Sequence, residues 1–195
     1  MKNSKWGTTS YDDKPCYVVL FCSRNKDNVG VDGFKERRKS FVTNKEPNEL
    51  EREFGHFIND GVMDEMSRFY YSVNARDANK VRKQLLHFLI DEDFNLAHLD
   101  GKLASIAAKK ECAKTKRWMF DFDLDNNVEV SKFLTDISKC VTEPLRTEIR
   151  KTPHGYAIIT ERGFDTRKLG LDDTWYNIAT LKKDDLLCYA WERKD

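Results

Sequence analysis

The strictest regularity in the chain is the alternation Trp118-Met119-Phe120-Asp121-Phe122-Asp123-Leu124-Asp125, which puts Trp118, Phe120, Phe122 and Leu124 on one face of a strand and Asp121, Asp123 and Asp125 on the other. A helix is predicted next. Asn126 is placed to cap it, Glu129 sits at its third helical position, and Val130, Phe133, Leu134, Ile137 and Val141 form its apolar stripe up to Pro144. Strands are then expected over 145–151 and 156–160, joined through Thr152-Pro153-His154-Gly155. A short helix over 165–169 and strands over 175–181 and 186–191 complete the order.

Upstream the pattern is less regular. Pro15 to Cys22 is an apolar run between polar clusters at Tyr11-Asp12-Asp13-Lys14 and Ser23 to Asn28, and reads as a buried strand. Residues 29–44 read as a basic loop. Pro47 opens a helix carrying Leu50, Phe54, Phe57 and Ile58, and 68–74 reads as a strand. The next helix has Val81, Leu85, Phe88 and Leu89 on one face and Lys80, Arg82 and Lys83 on the other. A further helix is predicted over 96–113, interrupted by Gly101. The expected fold class is α+β: a mostly antiparallel sheet with helices on one face, in the βαββαβ order of ferredoxin-like and RRM-like domains, plus an N-terminal extension. The chain is expected to form one domain, with 1–116 as the extension and 117–195 as the core.

Composition narrows the function classes. With 34 Lys+Arg against 33 Asp+Glu the net charge is +1, and 39% hydrophobic residues suffice for a packed core, so neither a disordered tail nor a uniformly basic nucleic-acid coat is indicated. No apolar run is long enough for a membrane span and Met1 to Trp6 lacks an apolar signal core, so a soluble, cytoplasmic protein is expected. The five cysteines lack CxxC pairing and read as small apolar residues in a reducing compartment.

Three aspartates on one strand face run against strand propensity. Carboxylates at i and i+2 repel, and a divalent cation removes the penalty, since hard oxygen ligands suit Mg²⁺ or Mn²⁺. The alternatives are a solvent-facing sheet surface or salt bridges to basic neighbours. Basic segments flank the strand: six cations against one acid over 102–117 and six against three over 146–168, as a polyanionic ligand requires. His56, His87 and His98 have no carboxylate or cysteine partners at ligand spacing and read as structural or exposed.

Asp121-Phe122-Asp123, the Thr152-Pro153-His154-Gly155-Tyr156 turn and a later hydrophobic-acid element together resemble the archaeo-eukaryotic primase and primase-polymerase superfamily. They also look like the superfamily's small phage-encoded relatives. The resemblance implies a primase-palm core and two-metal phosphoryl transfer on nucleotides or nucleic acid. Asp121, Asp123 and either Asp165 or an acid of the Asp184-Asp185 turn, Asp185 being favoured there, would hold Mg²⁺ or Mn²⁺. His154 would contact the triphosphate, with Arg150, Lys151, Thr152 and Tyr156 beside it. Arg76 would be either a further phosphate contact or a helix-start arginine. The chain departs from the phage pattern at Ala157, where those relatives carry His. Two readings stay open: a metal-dependent nucleotidyltransferase, or an inactive relative that binds nucleic acid or a protein partner as a phage accessory or anti-defence factor. A plain binding domain with solvent-facing aspartates is a third.

Overall fold

The computed structural model describes residues 15–91, 94–182 and 184–194, so the Tyr11–Lys14 cluster and Lys183 lie outside the described residues. The strands are β1 Tyr17–Ser23, β2 Arg37–Thr43, β3 Met66–Ser72, β4 Trp118–Phe122, β5 Thr147–Thr152, β6 Gly155–Thr160, β7 Ala179–Leu181 and β8 Asp185–Glu192. The helices are α1 Glu51–Asn59, α2 Ala78–Asp91, α3 Leu99–Ala107 and α4 Asn127–Lys139. They build an α+β structure with two antiparallel four-stranded sheets, ordered β2-β1-β3-β8 and β5-β6-β4-β7.

One face of the first sheet presents Val19, Phe21, Phe69 and Tyr71 to Leu50 and to Phe54 and Phe57 of α1. Its other face is covered at Val18 and Val42 by the α2–α3 pair, through Val81, Leu85, Phe88, Leu103 and Ile106. In the second sheet Phe120, Phe122 and Ile158 pack on Val130, Phe133 and Ile137 of α4, with Trp175 and Leu169 closing the cluster. The opposite face carries Met119, Ala157 and Ile159, which meet Val73 and Leu186 of the first half. The two sheets therefore share a core. The expectation of one sheet with helices on one face holds for the second sheet alone, because the first is covered on both sides.

Several local expectations need correction. Residues 37–43, read as a loop, form β2 and pair with β1 from Ser23↔Arg37 to Tyr17↔Thr43. This strand edges its sheet, and Arg37, Arg38 and Lys39 hide its β pattern while discouraging edge-to-edge association. The helix expected over 96–113 is α3 between two short 3-10 turns, and Gly101 lies inside it. The helix expected over 165–169 and the first half of the strand over 175–181 are turns, with Gly170 at φ 71° and Asn177 at φ 59°. Trp175 is buried as an anchor instead, its indole N–H donating to Asp136 Oδ2 at 3.2 Å. Caps behave as read: the Asn126 side chain accepts from Val128 N at 2.9 Å. Cys22 and Cys112 are buried and the other three cysteines half-buried. Among the described residues no helix is long and apolar enough to cross a membrane.

The β5–β6 turn is fixed by Gly155. A Cβ there would overlap the Phe122 carbonyl oxygen and stand 2.9 Å from Leu124 N, both backbone atoms of β4 and its extension. Gly155→Ala must push β6 away from β4. A cost of about 2 kcal/mol, or a fall of about 4–8 °C in Tm measured by circular dichroism, is expected.

Candidate functional site

Paired residues on adjacent strands share a face, so Arg150, Ala157, Asp121 and Thr180 form one row across β5, β6, β4 and β7. The face is that of Met119 and Ile159, away from α4. Asp121 is half-buried, and both burial and the neighbouring Asp123 carboxylate push its pKa up. Three cations oppose the shift: Lys182, His154 and Arg68. Asp123 is exposed just beyond β4, its N–H donating to Ile178 O at 2.8 Å. His154 is exposed at the tip of the β5–β6 turn, its charge within electrostatic reach of Asp121. Thr152, the residue before that turn, is buried and falls on the Asp121 face by strand alternation.

Lys182 and Arg68 were not singled out by the sequence. Lys182 follows β7, its N–H donates to Met119 O at 2.8 Å, and its charge acts on both Asp121 and Asp185. A basic residue ending a strand paired to the aspartate strand was the available signal. Arg68 comes from β3 of the other sheet, held by a two-pronged ion pair to Asp27 at 2.9 Å and 2.9 Å. No local pattern reveals such a partner.

The pleat sorts the remaining candidates. Lys151 and Tyr156 pair with each other and with Phe122, which places them on the α4 face, not with Asp121. Lys151 is ion-paired to Asp125 and lies 4.5 Å over the Tyr156 ring, while the Tyr156 hydroxyl donates to Asn127 Oδ1 at 2.8 Å. Arg150 is on the Asp121 face, but its Nε donates to Glu148 Oε1 at 2.5 Å, and Arg117 grips the same carboxylate. Asp165 follows Phe164, whose ring packs on Phe120 and Trp118 on the α4 side. It is exposed there and paired with Arg167, which holds its carboxyl down at about 2. The fold does not bring Asp165 to Asp121.

Arg76 and the Asp184-Asp185 turn also differ from expectation. Arg76 is 3% exposed and ion-paired to Asp184, so it is not placed as a phosphate contact, and it stands two residues before the start of α2. Asp184 Oδ1 also accepts from the Asn74 backbone N–H at 3.0 Å, and its carbonyl accepts from Val73 N at 2.9 Å. Asn74 carries the link onward, its Oδ1 accepting from Arg117 N at 2.7 Å and its Nδ2 donating to Arg117 O at 3.0 Å. Asp185 opens β8 opposite Ser72. Desolvation of its carboxyl and the Asp184 charge raise its pKa, against Arg76 and Lys182.

Asp121, Asp123 and His154 are thus brought to one end of one sheet face, with the Lys182 charge acting on both Asp121 and Asp185. Among the described residues no group of three or more His, Cys, Asp and Glu is placed to hold a metal ion. Asp121 and Asp123 are hard-oxygen donors of the kind that would suit Mg²⁺, which can be bound through one or two carboxylates. Comparison with family models, curated proteins and solved structures finds no match to this chain.

Two outcomes follow from these electrostatics. Removing one partner of a buried pair strands the other charge, so Asp184→Ala is expected to cost about 3 kcal/mol by urea unfolding. Asp121 has a raised folded pKa, so its ionisation lowers stability fully above the folded value, and that cost shrinks as pH falls below it and is gone below the unfolded pKa. Asp121→Asn is therefore expected to gain stability relative to wild type between pH 3 and pH 7, read from unfolding midpoints across that range.

Proposed function

We propose that this chain is a primase-polymerase-like protein that binds nucleotides or nucleic acid through a divalent cation at Asp121 and Asp123. The observation that carries the reading is Asp121 itself: a half-buried carboxylate whose charged form is disfavoured by its surroundings and by Asp123, beside the exposed His154 turn. A group held in that state is relieved by a bound cation. The strand order β5-β6-β4-β7 supports it further, being that of a ferredoxin-like sheet in which turns replace the second helix.

In this reading Asp121 and Asp123 hold Mg²⁺ or Mn²⁺. When bound, the ion supplies charge neutralisation on the phosphoryl oxygens. His154 and the Thr152 hydroxyl face the phosphates, and Lys182 gives its charge to them in exchange for the aspartates. The protein would work in the cytoplasm, in that of a host cell if it is phage-encoded.

A second reading has its own support. Ala157 stands directly beside Asp121 in the sheet, leaving no imidazole there, and Asp184 is committed to Arg76. An inactive relative that binds nucleic acid or a protein partner fits those two facts.

Calorimetry with Mn²⁺ in the presence of a nucleoside triphosphate tests the site. Wild type is expected to bind both and Asp121→Asn/Asp123→Asn to lose the metal-dependent heat; no such heat in wild type refutes the site. Primer synthesis and extension with Mn²⁺ and mixed nucleotides separate the two readings, since product formation that vanishes in the double variant requires the catalytic one.

A further inference from the structure

Several cations of this protein are ion-paired to acids. On α4 Lys132 and Lys139 reach Glu129 and Asp136, Lys45 reaches Glu53, and Arg162 and Arg167 reach neighbouring acids. The α2–α3 pair carries cations that are not so paired. Lys80, Lys83, Lys102 and Lys109 have no acid partner among the described residues, and Lys102 and Lys109 line one groove between the helices. That groove, of about 240 Å³, is lined by Gln84 and His87 from α2 and by Lys102, Ser105 and Lys109 along α3 and just after it.

Its construction is directional. Phe88 forms part of the lining, and the Lys102 ammonium lies 3.9 Å from that ring's centroid, so one cation is fixed in place by an aromatic face. Lys102 and Lys109 are seven residues apart, which gives a row about 10 Å long at 1.5 Å rise per residue. A nucleic-acid strand spaces its charges at about 3.4 Å along the axis, so such a row spans about three phosphates. Gln84 and Ser105 add neutral hydrogen-bonding groups between the cations.

We propose that the α2–α3 groove is a docking track for the phosphate backbone of single-stranded nucleic acid. This rests on the reading of the chain as a nucleic-acid-binding protein and names a second contact surface for it, on helices that contribute nothing to the aspartate site. Complementarity of charge favours this occupant: the lining is polar and cationic, with no acid in it. The exposed Leu86, Leu89 and Ile90 lie on the neighbouring stretch of α2 and make an anionic membrane the competing occupant.

The test is fluorescence anisotropy with a labelled mixed-sequence 20-nucleotide single strand in EDTA, titrated at several salt concentrations. Lys102→Glu/Lys109→Glu is expected to weaken binding at least tenfold and to flatten the salt slope by about 1.4, at about 0.7 per lost phosphate contact. Lys109→Glu alone, which leaves the Lys102–Phe88 contact intact, is expected to act in the same direction. Asp121→Asn/Asp123→Asn should bind as wild type without metal, so that loss of the aspartate site and loss of the groove are read separately. The proposal is overturned by unchanged affinity in both lysine variants. It is equally overturned if Lys132→Glu/Lys139→Glu on α4 weakens binding as much, or if wild type ignores the oligonucleotide and binds phosphatidylserine vesicles instead.

Discussion

The buried ion pair between Arg76 and Asp184 is the constraint on which the rest of this architecture depends. Arg76 follows β3 and Asp184 precedes β8, so the pair fastens the exit of the first half of the chain to the point where the last strand turns back. A guanidinium that is 3% exposed costs several kcal/mol to desolvate and is tolerated only with a carboxylate beside it. Asn74 extends the same knot to Arg117, at the entrance of β4. The register of β4, and with it the position of Asp121, is set from this junction as well as from the sheet.

Within the second sheet, alternation decides which groups can act together. One residue of shift separates Asp121 from Phe122, and Arg150 from Lys151, and each shift crosses the sheet. The polar end of the Asp121 face is therefore small: two aspartates, one histidine at a turn, a buried threonine and a lysine arriving from β7. Its electrostatics are poised, with the Asp121 and Asp185 carboxyls each raised by burial and by a neighbouring aspartate, and cations from both sheets drawn in to compensate.

What was legible in the sequence was what short-range periodicity encodes. β4, α4, the β5–β6 turn and the face carrying Asp121 and Asp123 follow from alternation, a cap and a Pro-His-Gly turn. β2 was hidden because an edge strand with Arg37, Arg38 and Lys39 needs apolar residues only where it touches β1. Arg76 was open to a phosphate or a helix-start reading and the Asp184-Asp185 turn to a metal one, since an arginine and an acid are chemically identical whether they face a phosphate or one another. Their pairing spans 108 positions, a distance no local pattern covers. Lys182 and Arg68 were missed for the same reason, because their meaning comes only from the strands they oppose.

The return of β8 to the first sheet has a temporal side. β3 and β8 are separated by the whole of the second sheet, yet they pair from Met66↔Glu192 to Ser72↔Asp185. Closing so long a loop is slow, and it cannot begin before the final strand exists. During synthesis, β3 waits with an unpaired edge while everything from β4 to β7 emerges. The first sheet thus keeps an unpaired edge at β3 until β8 is made.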